Sequence, residues 1–361
     1  MIARERGSGA RALSTPAYLE GDASAAFLEN VSVDRYALDT EFVSGSTYFP
    51  KLALIQVATP SAIAIIDPLN QNPSLLTGLL RSKATMVAHA AGNDISILRD
   101  HGLPLPSSLL DTQVAAQLLG SHILSLADLA QAVLGIAMNK SQQRRDWTVR
   151  PLPRVALDYA VLDVAYLLEI AAVLEKRLYE KSKVSWWYEE SALMLNPPTP
   201  DPIIRLGPRS SKSIVQRKVA LFLWRELIAK DRDIPRRWVV DDETVMAWAR
   251  SLPGDFPMLS PKEVTQLHAA VAAAPLLPTQ IIGRRTKDQK SALVRLRAAR
   301  DTMATELGVD PPLLATTRDL EGLVDGRSTR LDQGWRREHV LKPLGAVLAT
   351  PRTQTSVYGA L

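Results

Sequence analysis

Two acidic residues interrupt an apolar stretch near the start of the chain. The sequence YALDTEF, residues 36–42, has the composition of a buried strand except for Asp39 and Glu41. Residues i and i+2 of a strand point to the same face, so the two carboxylates lie side by side with Cα atoms roughly 6.6 Å apart. Two close carboxylates among apolar side chains are costly to keep ionised unless a positive charge lies between them. The pair therefore predicts a bound cation.

Further candidates follow at two later points of the chain. Asp94 comes after the apolar stretch TMVAHA, in the first turn of a predicted helix. Tyr159 and Asp163 are four residues apart in DYAVLDVAYLLEI, so they share one face of a predicted helix. Each feature alone is more typical of a non-catalytic role, because a first-turn Asp complements the helix dipole and a Tyr–Asp pair at this spacing usually lies on a solvated face.

The elements that must position these residues alternate along the first part of the chain. The predicted strands are YALDTEF, KLALIQVAT, SAIAIIDP and TMVAHA. The predicted helices are DISILRDHG, DTQVAAQLLG and SLADLAQAVLG, followed by a long amphipathic helical segment from about Arg154 to Tyr179. This order is typical of an α/β domain.

The succession of the acidic motifs resembles the three exonuclease motifs of the DEDD nuclease superfamily, in its tyrosine branch. From about residue 36 to residue 178 the chain resembles the ribonuclease D family, through the stretches LDTEF, TYFPKLALIQVA, IIDPL, HAAGNDISIL, KSQQRRDWTVRPL and DYAVLDVAYLL. The resemblance implies a ribonuclease H-like fold. We therefore expect a mixed five-stranded sheet, with its second strand antiparallel, flanked by helices.

The resemblance also assigns roles to the five candidates. Asp39, Glu41 and Asp163 would hold one divalent ion, and Asp39 would bridge to a second ion that Asp94 supports partly through water. Oxygen ligands suit Mg²⁺ or Mn²⁺, and two such ions about 3.5–4 Å apart can clamp the attacking and leaving oxygens of a phosphodiester. Tyr159 would orient the attacking water.

Other residues are candidates for contact with nucleic acid. His89 matches a histidine often found on the strand before the second motif, although a lone His near a core is more often structural. The segment KSQQRRDW offers Lys140, Arg144 and Arg145 for phosphate contact. The alternative for this segment is a tethering loop in which Trp147 packs on the core and Asp146 caps a turn.

The second half of the chain has a helical pattern and a basic charge. Residues 1–200 carry a net charge of −3, and residues 201–361 a net charge of +8. The stretch LFLWRELIAKDRDIPRRWVVDDETVMAWARSLP resembles the HRDC domain, the helicase-and-ribonuclease-D C-terminal module, which implies nucleic-acid binding and makes Arg236 a candidate. Trp224 and Trp238 could stack on bases, but a core position is favoured for Trp224. The basic charge fits either a polyanionic partner or a solubility role.

Four segments are expected along the chain. They are an exonuclease domain at 1–195, a Pro-rich linker at 196–212, an HRDC domain at 213–285 and a second, divergent HRDC-like helical domain at 286–361. Asp241 is a predicted N-cap, and Ser260 with Glu263 forms a predicted capping box. A fragment ending near Asn196 contains all five catalytic candidates and is expected to degrade short RNA.

The composition limits which metal ligands and which cellular location are expected. The 361 residues contain no Cys and five scattered His, so a metal must be held mainly by oxygen. No signal peptide and no apolar run of about 18 residues is found, which predicts a cytoplasmic protein without membrane contact. No obligate protein partner is indicated.

The combined reading predicts a metal-dependent 3′–5′ exoribonuclease. We expect it to trim the 3′ ends of structured RNA such as tRNA precursors and to release nucleoside 5′-monophosphates. One alternative is a DNA 3′–5′ exonuclease of the same superfamily. The other is a non-catalytic RNA-binding scaffold, which is disfavoured because all five catalytic positions are present. The chain has no GxxxxGK[ST] loop, so helicase activity has no support.

Overall fold

A five-stranded mixed sheet forms the first part of the protein. The computed structural model describes residues 17–122, 125–138, 145–197, 203–205, 211–276 and 280–349. The strands of the sheet are β1 (Arg35–Val43), β2 (Lys51–Ala58), β3 (Ile63–Ile66), β4 (Thr85–Ala88) and β5 (Leu109–Asp111). Their spatial order is β3-β2-β1-β4-β5, with β2 antiparallel to β1 and β3, and with β4 parallel to β1 and β5. The sheet expected from the resemblance is confirmed.

Eight helices accompany this sheet among the described residues. They are α1 (Gly21–Asn30), α2 (Thr77–Arg81), α3 (Gly92–Asp100), α4 (Thr112–Leu118), α5 (Leu126–Leu134), α6 (Arg154–Ala165), α7 (Leu167–Glu180) and α8 (Val184–Leu195). The segment predicted as one long helix is divided at Tyr166, which has φ −112° and ψ −1°. Two core layers sandwich the sheet: Ile95 and Leu98 of α3 belong to one, and Val161 and Val164 of α6 belong to the other.

The second half is almost wholly helical where the structure describes it. Its elements are β6 (Ile203–Arg205), α9 (Lys212–Asp231), α10 (Arg236–Val239), α11 (Asp242–Arg250), α12 (Pro261–Ala273), β7 (Gln280–Ile282), α13 (Lys287–Leu307), α14 (Pro311–Leu314), α15 (Thr317–Val324), α16 (Gly334–Arg336) and α17 (Lys342–Ala349). Strands β6 and β7 pair in parallel. The predicted caps are confirmed, since Asp241 accepts from the Thr244 amide at 2.7 Å and Ser260 with Glu263 forms a capping box. The division into four segments stays a prediction.

The two helical modules pack in different ways. Helices α9 to α12 surround a separate core that contains Trp224, which is 2% exposed, as expected for a core position. Helices α13 to α17 instead extend the core of the exonuclease domain, because Leu296 and Val309 belong to the same cluster as Trp186. The last module is therefore built onto the sheet domain.

Buried polar contacts hold this last module in place. The Lys183 ammonium donates to the carbonyl of Leu118 at 2.7 Å and to that of Leu307 at 2.5 Å, so one cation satisfies the C-terminal ends of α4 and α13. Burial lowers the pKa of Lys183 to about 8. Nearby, the buried Arg336 is ion-paired with Glu190. Removal of the tail would leave Lys183 with the Leu118 carbonyl alone and would take Arg336 away from Glu190, so the structure argues against an intact fragment ending near Asn196.

The module of α9 to α12 contacts the loop between β1 and β2 at Tyr48 and at the backbone amide of Phe49, which donates to Asp233 at 3.1 Å. Two cations lie over the Tyr48 ring, with Lys230 Nζ 5.5 Å and the Arg236 guanidinium 4.9 Å from its centroid. Its hydroxyl is hydrogen-bonded to Glu226, and its backbone amide donates to Asp233 at 3.1 Å. The loop that follows the predicted acidic strand is thus fixed to this module.

No helix within the described ranges is both long enough and apolar enough to cross a membrane.

Candidate active site

The first acidic pair lies on the central strand of the sheet. Asp39 and Glu41 are both on β1, which has β2 on one side and β4 on the other. They point to the same face, as the two-residue spacing predicts. The register between β1 and β2 shifts between Glu41 and Phe42, so the strand is irregular directly after the pair. Both side chains are partly buried.

Helix α6 brings the third motif to the same face. The helix packs against β1 and β2, and it carries Tyr159 and Asp163 one turn apart. One carboxylate oxygen from each of Asp39, Glu41 and Asp163 lies within 4.8 Å of the other two. Three acidic residues separated by up to 124 positions in the sequence thus converge on one point. Such a group is able to hold a cation.

Asp94 approaches from the opposite side of the sheet. It lies in the first turn of α3, and it is 5% exposed. Thr40 donates to Asp94 Oδ1 through its backbone amide at 3.0 Å and through its hydroxyl at 2.6 Å. Thr40 points away from the face of Asp39 and Glu41, toward the layer that contains α3. Asp94 is therefore fixed beside the group of three carboxylates, but is not one of its members.

The turn that precedes Asp94 has a constrained backbone. Ala90 has φ +58°, in the left-handed region that residues other than Gly rarely adopt. The next amide, that of Ala91, donates to Asp111 Oδ2 at 2.7 Å, and Asp111 Oδ1 caps α4. One buried carboxylate at the end of β5 thus sets the direction of the chain into α3.

Burial raises the pKa of every acid in this group. The pKa of Glu41 rises to about 9, first because of burial and then because of the charges of Asp163 and Asp94. Burial also holds the pKa of Asp39 well above its ordinary value, and the charges of Asp94 and Asp163 add to this effect. The pKa values of Asp94 and Asp163 are raised by burial in the same way. Without a cation, the folded protein favours protonated forms of these acids.

Tyr159 is hydrogen-bonded to one member of the acidic group. Its hydroxyl donates to Asp163, which lowers the pKa of that carboxyl against the larger effect of burial. Its ring also packs against Trp147, with centroids 6.1 Å apart. Trp147 is 1% exposed, so the packing alternative for this residue is the one the structure adopts. Asp146 accepts from the Thr148 amide at 2.9 Å, as expected for a residue that caps a turn.

The residues predicted to contact nucleic acid are less closely grouped than the acidic residues. His89 Nδ1 is 3.0 Å from the Thr112 hydroxyl, which itself donates to the Ala88 carbonyl. Arg145 is partly buried at the start of the segment that leads to Trp147. Lys140 and Arg144 lie outside the described residues. Arg236 is ion-paired with Glu226 and half-exposed. The assignment of these residues to RNA contact stays a prediction.

Two contributors were missed by sequence reasoning. Thr40 holds Asp94, although its position between Asp39 and Glu41 gives no sign of this role because it faces the other way. Tyr48 attaches the module of α9 to α12 to the sheet domain. The sequence indicated this role only by an aromatic residue in a loop. Both contacts join residues more than 50 positions apart, which a local pattern does not reveal.

The donor set fits a hard divalent cation. Carboxylate oxygens without sulfur or imidazole are the ligands that Mg²⁺, Mn²⁺ and Ca²⁺ accept. A divalent ion would also favour the ionised forms of acids whose pKa values burial raises.

Comparison with known proteins identifies the family to which this chain belongs. A family model described as a 3′–5′ exonuclease matches residues 20–179, which contain all five catalytic candidates. The ribonuclease D of Xanthomonas oryzae pv. oryzae is 34% identical over 326 residues, covering 84% of this chain and 90% of that protein. The chain belongs to the ribonuclease D family. The ribonuclease D of Bartonella henselae is 30% identical over 84% of this chain and 82% of its own length.

The solved structures agree with this membership over both halves of the chain. The crystal structure of Escherichia coli RNase D, described as an exoribonuclease involved in structured RNA processing, superposes with a TM-score of 0.79 and 27% identity. It covers 92% of this chain and 99% of that one, so the helical modules are included. This ribonuclease D family member is a 3′–5′ exoribonuclease.

Proposed function

We propose that this ribonuclease D family enzyme trims the 3′ ends of structured RNA such as tRNA precursors, and that it uses two Mg²⁺ or Mn²⁺ ions to do so. The observation that carries the proposal is the convergence of Asp39, Glu41 and Asp163 on one point beside Asp94. When bound there, divalent ions would supply the positive charge that stabilises a phosphodiester under attack.

The residues of the chain have separate tasks in this reaction. Asp39, Glu41 and Asp163 would hold the first ion, while Asp94, fixed by Thr40, would support the second. Tyr159 lies beside the acidic group, because its hydroxyl is hydrogen-bonded to Asp163. There it would orient the water that attacks the terminal phosphodiester, and the product would be a nucleoside 5′-monophosphate.

Two features support a structured RNA as the substrate. Residues 201–361 carry a net charge of +8, which suits a polyanion that extends beyond the catalytic cleft. The module of α9 to α12 is attached by Tyr48 to the loop directly after β1, the strand that carries Asp39 and Glu41, so we expect RNA bound by this module to reach the acidic group. We propose that this module and the last one are HRDC-like.

The test uses the full chain with a 3′-extended tRNA precursor in Mg²⁺ or Mn²⁺, with products resolved by length. A ladder that shortens from the 3′ end and releases 5′-monophosphates is expected, and Asp163→Asn should abolish it. A matched DNA strand measures the preference for RNA. Faster turnover of the DNA strand would support the DNA exonuclease instead. Binding without any shortening would support the scaffold.

A further inference from the structure

One buried side chain next to the acidic group has no hydrogen-bond partner within the described ranges of the chain. Gln56 lies on β2 directly opposite Asp39 on β1. Residues in such an antiparallel pair point to the same face, with Cβ atoms about 4.5–5.5 Å apart. Gln56 is 0% exposed, and neither its amide nitrogen nor its amide oxygen has a hydrogen-bond partner in the part of the chain that the structure describes.

Packing alone gives no reason for an amide at this position. The neighbours of Gln56 on the same face of β2 are Leu54 and Ala58, and its partner on β3 is Ile65, all of them buried and apolar. An aliphatic side chain of similar length would fill the same space without burying unpaired polar atoms. A fully buried amide with no partner is rare, because it loses its hydrogen bonds to water and gains none.

The other two aspartates of the site each accept a side-chain hydrogen bond of a kind that Asp39 lacks among the described residues. Asp94 accepts from the Thr40 hydroxyl, and Asp163 accepts from the Tyr159 hydroxyl. Among the described residues, no side chain donates to Asp39, and Gln56 is the polar residue opposite it in the sheet. Carboxylates that bind metals are usually oriented by such hydrogen bonds from neighbouring side chains.

We propose that Gln56 is a positioning residue of the metal site, whose amide nitrogen donates to the Asp39 carboxylate when that carboxylate binds a cation. The side chain has three rotatable bonds, so its amide can turn toward Asp39 without movement of the strands. The bond fixes which oxygen of Asp39 faces the cation. This inference rests on the proposed metal-dependent function.

The substitution Gln56→Met tests the proposal, because it keeps an unbranched side chain of similar length and removes the amide. Metal-free Gln56→Met should have a higher Tm than the parent, since an unpaired buried amide has been replaced by an apolar group. Its affinity for Mn²⁺, measured by isothermal titration calorimetry, should fall by about tenfold or more. The rise in Tm that Mn²⁺ causes should shrink accordingly.

Tyr36→Phe is the matched control. The Tyr36 hydroxyl on β1 is also buried and has no hydrogen-bond partner among the described residues, but its ring belongs to the core layer on the opposite side of the sheet. This variant should raise Tm in the metal-free state and leave the affinity for Mn²⁺ unchanged. A parallel loss of affinity in Tyr36→Phe would overturn the proposal, because the effect would then come from the sheet and not from Gln56.

The remaining outcomes separate this inference from the function on which it rests. If the parent binds Mn²⁺ and Gln56→Met binds it equally well, the role of Gln56 is overturned and the metal-dependent function stands. If the parent itself does not bind Mn²⁺, both are overturned. Should Gln56→Met fail to fold, Gln56→Asn keeps an amide but shortens its reach. Unchanged Mn²⁺ affinity in that variant overturns the proposal as well.

Discussion

Replacement of Glu41 by Gln should stabilise the metal-free protein and inactivate the enzyme. Burial and the nearby charges of Asp163 and Asp94 raise the pKa of Glu41 to about 9, against an ordinary value of 4.5. Because the folded pKa is raised, the contribution of this carboxyl to stability is fully present below about pH 4.5, and it is lost as the pH rises toward 9. Gln resembles the protonated acid at every pH.

The size of the effect follows from the distance between the working pH and the ordinary pKa. At pH 7.5 this distance is about three pH units, so Glu41→Gln should raise the free energy of unfolding by up to about 4 kcal/mol. The neighbouring acids titrate together with Glu41, and their adjustment makes this value an upper limit. The gain should be close to zero at pH 4.5. Activity should be lost because the metal loses one charged ligand.

The assay is urea unfolding in EDTA at several pH values, together with exonuclease turnover in Mn²⁺. Glu29→Gln is the control, because it makes the same change on the exposed surface of α1. Equal stability of Glu41→Gln and the parent at pH 7.5 would refute the argument from burial. Near-full activity in the variant would refute the assignment of Glu41 as a ligand.

Three further outcomes follow from the structure. Tyr159→Phe should lower kcat far more than it weakens RNA binding, because the lost hydroxyl is hydrogen-bonded to Asp163 and not to the bulk of the substrate. Unchanged kcat with weaker RNA binding would instead make Tyr159 a stacking residue. Tyr48→Leu should weaken the binding of a tRNA precursor severalfold, with little change in the turnover of a short oligonucleotide, because it removes the ring and hydroxyl contacts that help to hold the module of α9 to α12. Both substrates are measured side by side, and equal losses on the two would contradict this. Truncation after Asn196 should give an aggregated or poorly folded fragment, because it exposes the buried Trp186 and Lys183. Circular dichroism and gel filtration measure this, and a monomeric fragment with cooperative unfolding would show that the last module is dispensable for folding.

Local patterns allowed many elements to be predicted. The strand that carries Asp39 and Glu41 was predicted from its apolar residues, and the start of α12 was predicted from Ser260 and Glu263. These features depend on residues at most a few positions apart, so the sequence contains them directly. Strand β5 was not predicted from the pattern, because three residues are too few to show a period.

The candidate residues of the site could be named from the sequence, while the contacts between them could not. The resemblance of three short motifs to the ribonuclease D family selected Asp39, Glu41, Asp94, Tyr159 and Asp163 as candidates, and the structure brings three of their carboxylates together. The hydrogen bond from Thr40 to Asp94 and the position of Gln56 opposite Asp39 depend on strand register and on which helix covers which face. Register is a property of two strands together, so a single stretch of sequence does not contain it.

The relation of the helical tail to the catalytic domain was decided only by tertiary structure. The sequence indicated two helical modules of similar length, and a separable tail was the natural expectation. The structure instead makes α13 to α17 part of the exonuclease core, with Lys183 joining the ends of α4 and α13. Composition and periodicity tell which face of a helix is apolar, but they do not tell which of several apolar surfaces that face will cover. That choice is made by shape and by the pairing of buried polar groups, and both exist only once the chain has folded.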